Sequence, residues 1–195
     1  METVDFIEMK HGTKEEYQFL HKLEAQYIRT LPDRLLDALR RLDSSIEGYK
    51  VSRLMHSLQS ATRAEADGED IEIIVAAVVH DLGDELAPEN HSQLAAAIIR
   101  PYVRAEVTWI LEMHGLFQMQ YYAQHYGRDP NGHLVWRNHP WYVPCMRFCE
   151  RFDQSAFDPD YPTKPLSYFE PMLREVFSRP AFDPRVLKEP TPLTA

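Results

Sequence analysis

Six side chains carry most of the chemistry this sequence offers: His56, His80, Asp81, His91, His114 and Asp153. Imidazole and carboxylate are the donors that borderline and hard metal ions take. His80 and Asp81 adjoin at the end of an apolar run, where two desolvated polar groups are costly unless paired or metal-bound. A lone buried histidine is ordinarily a hydrogen-bonded core residue. The collective order is different: His, then His-Asp, then His, then His, then Asp, each near the end or middle of its own stretch. Such an order suits a carboxylate–histidine site assembled from neighbouring helices.

The elements that must position these groups read as helical almost throughout. Mixed three- and four-residue apolar steps predict helices over residues 14–29 and 33–43, the second starting just after Pro32. Gly48 ends that region. Val51 to Ala66 reads as a third helix, stopped by Asp67-Gly68. Ile71 to Leu82 is nearly all apolar and predicts a buried central helix capped by Gly83. Further helices are expected over 91–100, over Val103 to Met113 with a stop at Gly115, over Tyr121 to Tyr126, within Trp141 to Phe157, and over Leu166 to Ser178. Residues 128–140 read as a loop and 158–165 as a Pro-rich turn. The organisation expected is one all-α unit. Residues 1–44 give N-terminal helices packing on a core at 45–178, and 179–195 form an extended Pro-rich tail.

Composition sets outer bounds. Lys and Arg total 21 against 30 Asp and Glu, a formal net charge of −9. That argues against nucleic acid as a partner, because phosphate neutralisation needs a basic face. The longest unbroken apolar run, Ile73 to Val79, is far short of the roughly 20 residues of a spanning helix, so no membrane association is expected. The charged N-terminus does not read as a signal peptide. Cys145 and Cys149 fall four apart and read as reduced, packed thiols, in keeping with a cytoplasmic location. Composition leaves the oligomeric state open.

The local segments MHSLQSA around His56, VVHDLGD around His80-Asp81, ENHSQLAAA around His91, LEMHG around His114 and RFDQ around Asp153 resemble the HD-domain superfamily, over about residues 45 to 157. The resemblance implies a single-domain, all-α, HD-type helical bundle. It also implies two metals: His56, His80, Asp81 and Asp153 on the first, His91 and His114 on the second, with Asp81 bridging. A bridging carboxylate offers one oxygen to each ion and offsets their repulsion.

Two chemistries share this ligand set. HD phosphohydrolases act on nucleotides or phosphate esters with a metal-made hydroxide, using ions such as Mn, Co or Ni. A second branch resembles myo-inositol oxygenase and the phosphonate-cleaving oxygenases, which use two Fe ions in a mixed-valent Fe(II)/Fe(III) state with dioxygen. The segment His56-Ser57-Leu58-Gln59 is similar to the phosphonate-cleaving enzymes. Where many hydrolases place a Lys four residues after the HD histidine, this chain has Asp84, whose charge would repel phosphate. The expectation is therefore an oxygenase cleaving a C–C or C–P bond of a small, hydroxylated, polar metabolite.

Departures from the phosphonate oxygenases mark the candidate catalytic positions. Ile46 and Tyr49 stand where those enzymes carry a Tyr and a Glu over the second metal, and Tyr49 is the candidate replacement lid. Gln118 and Glu150 stand at two positions where they carry cations. Asp84, Glu85 and Glu150 lie near presumed ligands. Aromatic residues (Phe117, Tyr121, Tyr122, Tyr126, Trp136, Trp141, Tyr142 and Phe148) cluster with them, which suits an ammonium group. Arg147, Arg151 and Lys164 would supply an anion contact if the substrate is zwitterionic.

Overall fold

The computed structural model describes residues 3–188, and among them every regular element is a helix. In chain order they are α1 (Lys14–Arg29), α2 (Leu31–Arg41), α3 (Arg53–Ala66), α4 (Ile71–Val79), α5 (His91–Ile99), α6 (Ala105–Tyr122), α7 (Tyr142–Phe148), α8 (Leu166–Phe177) and α9 (Pro184–Leu187). The architecture is all-α.

α4 is the axis of the bundle. Ile73 through Val79 are all buried, as an apolar helix must be to escape water. It packs on α3, α6 and α8. Asp70 caps its start, accepting the Glu72 and Ile73 amide protons. α3 lies against it, capped by Ser52 and burying a face that includes His56, Leu58, Gln59 and Ala61. α5 packs on α6, and α2 reaches α8 through a stripe of Leu35, Leu36 and Leu39. α1 has a capping box of Thr13 and Glu16 but buries no side chain.

Several elements differ from the sequence reading. α4 stops at Val79, so His80 and Asp81 lie in consecutive turns rather than in the helix, and Gly83 is not its cap. A Cβ on Gly83 would come within 2.6 Å of the His91 carbonyl oxygen, so the glycine admits the backbone of α5. Gly115 does not end a helix: α6 runs through it to Tyr122, and a Cβ there would meet Ser92 Oγ at 2.6 Å. The segment Trp141–Phe157 holds α7 followed by a π-helical turn, Cys149–Asp153. The tail expected to be extended from residue 179 instead forms α9 and buries Leu187, with the Phe182 amide donating to the Pro101 carbonyl. Residues 189–195 lie outside the described part. Cys145 and Cys149 are free, buried thiols.

Candidate metal centre

The six predicted donors converge from α3, the turns after α4, α5, α6 and the π-helical turn. His56, His80, Asp81, His114 and Asp153 are all buried, and His91 is partly exposed. His56 Nε2 lies 3.0 Å from His80 Nε2. Asp153 Oδ1 lies 3.2 Å from the first and 3.6 Å from the second. The Asp81 carboxylate divides. Oδ2 is 3.4 Å from both His56 and His80 Nε2, while Oδ1 is 3.6 Å from His91 Nε2 and 3.7 Å from His114 Nε2. Three groups of donors are tight enough to hold an ion: His56–His80–Asp81, His80–His114–Asp153 and Asp81–His91–His114.

The imidazoles are already oriented for this task. His80 and His114 turn Nδ1 to the carbonyls of Ala77 and Leu111, at 2.8 and 2.6 Å. His56 Nδ1 meets the Ala156 carbonyl at 3.0 Å. His91 Nδ1 faces the Pro88 carbonyl at 3.4 Å and Asp84 Oδ1 at 3.3 Å. A carbonyl only accepts, so Nδ1 carries the proton and Nε2 presents a lone pair. Two such lone pairs 3.0 Å apart, at His56 and His80, repel unless a proton or a metal ion lies between them. His114 Nε2 and Asp153 Oδ2 are buried without a hydrogen-bond partner. Unpaired buried acceptors pointing at one another fit a metal centre, and the outer hydrogen bonds are of the kind that fix metal-ligating histidines.

The electrostatics point to the same need for positive charge at the centre, which a proton supplies where no ion is bound. Burial alone would push His80 toward neutrality, yet the charges of Asp81 and Asp153 hold its pKa well above the usual histidine value. Burial would raise Asp81 and Asp153, but the neighbouring imidazoles hold both well below the usual carboxylate range. The donor set is one that favours positive charge at its centre.

All of these donors except His80 line a cavity of about 490 Å³ whose other walls include Arg53, Gln118, Gln154, Phe157 and several tyrosines. Tyr49 lines it, but its ring stacks on Phe157 at 5.1 Å, and Phe157 stacks on His56 at 4.3 Å. Those contacts set Tyr49 on the His56 side rather than over the second histidine pair. Asp84 does not line the cavity: it lies behind it, 3.0 Å from Arg53 Nε and against His91. Burial and the Asp81 charge push its carboxyl above the usual range. Tyr121, Tyr122 and Tyr126 line the cavity, whereas Phe117 and Phe148 are core, and Trp136 and Trp141 pack around Trp109. Burial holds the Tyr121 phenol at about 12, so it stays a proton donor.

The charged candidates lie elsewhere. Glu150 is exposed, and Glu85 pairs with Arg41. Arg147 and Arg151 bind Asp67, and Lys164 binds Glu65. Sequence reasoning missed Arg53, Gln154 and Phe157. Arg53 precedes His56 by three residues, and that helical spacing was the available signal.

No family model matches the chain. It is 30% identical over 86 residues to the [1-hydroxy-2-(trimethylamino)ethyl]phosphonate dioxygenase (glycine-betaine-forming) of Leisingera caerulea. That match covers 38% of this chain and 44% of the relative, less than half of its length.

Proposed function

We propose that this chain is a non-haem, metal-dependent oxygenase acting on a small, hydroxyl-bearing phosphonate. The observation that carries the reading is the divided Asp81 carboxylate, with one oxygen toward His56 and His80 and the other toward His91 and His114. The similarity to a phosphonate dioxygenase supports the choice of oxygen chemistry over hydrolysis. On this reading His56, His80, Asp81 and Asp153 hold one ion, and His91 and His114 hold the second together with Asp81. The proposed ions are two irons in the Fe(II)/Fe(III) state. Bound there, such a pair supplies the dioxygen activation and substrate chelation that oxidative carbon–phosphorus cleavage requires.

The chain's own residues then do the rest. Backbone carbonyls keep the Nδ1 protons in place, so each Nε2 stays a ligand. Gln118 and Gln154 offer neutral amides to a substrate hydroxyl, and the Tyr121 phenol donates without ionising. The relative's substrate carries a trimethylamino group, and Tyr49, Tyr122, Tyr126 and Phe157 present ring surface suited to a methylated ammonium. Asp84, set behind Arg53 and His91, is assigned to ligand orientation rather than to meeting that cation.

The test is anaerobic loading with iron(II), followed by oxygen-electrode measurements on a panel of 1-hydroxyphosphonates, with electron paramagnetic resonance on the partly oxidised protein. Oxygen uptake dependent on substrate, and a mixed-valent signal that the substrate perturbs, are expected. Phosphate-ester hydrolysis with Mn, Co or Ni and no oxygen uptake would make the protein a hydrolase instead.

A further inference from the structure

Among the described residues that line the cavity, Arg53 is the only lysine or arginine. It is also an unusually under-used one. Its side chain is 18% exposed, yet it makes a single aligned hydrogen bond, from Nη1 to Asp81 Oδ2 at 3.3 Å. Nε lies 3.0 Å from Asp84 Oδ2, but neither atom finds an aligned partner. The guanidinium carries five N–H donors in a rigid fork, so most of them are unspent. Only Nε is fully buried without an aligned partner, so the remaining free donors stay open to water or to a ligand. Asp81 and Asp84 balance its charge on one side, the Tyr49 ring lies 4.9 Å from Cζ, and the cavity lies beyond.

The position is as informative as the unspent donors. The Asp81 oxygen that Arg53 touches is the one facing His56 and His80. An anion received by Arg53 from the cavity would therefore lie on the His56 side of the centre. Ions at the centre would draw on both Asp81 oxygens and leave the Nη1 donors freer still. The other cations considered from sequence are engaged by Asp67, Glu69 and Glu65.

We infer that Arg53 is the specificity-determining residue that receives the anionic head group of the substrate, a phosphonate or a carboxylate, and that Asp84 positions it. The inference rests on reading the cavity as the substrate site. It explains how a chain of strongly negative net charge accepts an anion: one fork, held in place by carboxylates behind it, faces the ligand.

The test is calorimetric titration of methylphosphonate, acetate and neutral ethylene glycol into the full chain loaded anaerobically with iron(II). Wild type, R53Q and R53K are compared, with iron per chain and circular dichroism measured on each. Wild type is expected to bind at least one of the two anions. R53Q should weaken that binding about tenfold or more at unchanged iron content, while leaving ethylene glycol binding as it was. R53K, which keeps the charge without the fork, should fall between. If R53Q does not fold, R53K alone decides, and wild-type affinity in R53K would then overturn the assignment. Undiminished anion binding in R53Q would also overturn it. So would loss of iron in R53Q, which would make Arg53 a lock on Asp81, or a wild type that binds neither anion. Arg53-dependent anion binding without oxygen uptake would support the assignment and sink the oxygenase reading alone.

Discussion

His91 is the most exposed of the four imidazoles, and its Nδ1 contact to a carbonyl is the longest at 3.4 Å. Asp84 makes up the difference from 3.3 Å. Removing the charge with D84N weakens the hold on His91 while leaving its ring in place. On the proposed reading, affinity for the second ion falls about 10- to 100-fold, with the first ion retained. Metal titration followed by elemental analysis checks this; equal loss of both ions, or of neither, would count against it. The roles of Asp84 and Arg53 also mark the limit of residue-level reading. Both residue types were visible, and a carboxylate four positions after His80 reads as facing the substrate. Turning the chain at Gly83 instead put it behind the cluster of donors, with Arg53 lining the cavity.

At the scale of elements, the centre depends on how the chain after α7 is fastened to α3. The π-helical turn Cys149–Asp153 shifts the register of α7 so that Phe152 stays buried while Asp153 reaches His56. π-turns often occur where function demands such a shift. Gln59 then clamps the following segment: its amide donates to the Asp158 carbonyl at 2.7 Å and accepts from the Asp158 amide at 3.1 Å. The same segment supplies the Ala156 carbonyl that orients His56. Gln59→Ala removes both hydrogen bonds to Asp158, each contributing about 0.5–1.5 kcal/mol, and is expected to cost about 1–3 kcal/mol. Urea denaturation measures the cost. Metal affinity should fall with it, since the His56 tautomer loses its anchor; stability loss with unaltered metal affinity would separate the two effects. Helical periodicity revealed most of these elements, but not the π-turn, because one extra residue per turn leaves no mark in composition.

For the whole molecule, two opposing charges matter: the acidic surface and the buried donor set. Asp67 ends α3 and is bound by Arg147 and Arg151, hydrogen bonding from Arg147 being the largest influence that lowers its pKa. A carboxyl depressed on folding contributes stability that is present above its unfolded value, about 3.9, and lost as pH falls through the folded value. D67N should therefore show a shallower fall in urea midpoint below about pH 4 than wild type; parallel curves would remove the clamp from the account. The donor set acts in the opposite sense to a normal core, because unfilled it brings lone pairs and carboxylates together. Saturating metal at a thousandfold over its Kd contributes about 4 kcal/mol. Chelation is then expected to lower Tm on the order of 10 °C for a chain of this size. An unchanged melting curve, with metal shown to leave, would mean the centre does not support the fold.

The amino-acid order alone determined that the fold is helical and that α4 is its buried axis, and a resemblance to a known family pointed to the six side chains. Apolar periodicity and the types of donor atom are local properties, written residue by residue. Only the tertiary structure decided which way the donors face. Where segments approach one another closely is set by neighbours that the linear chain does not display: His91 backbone against Gly83, Ser92 against Gly115, Ala156 against His56. Those contacts join residues as many as 100 positions apart, and the Ala156 carbonyl among them orients the His56 ring.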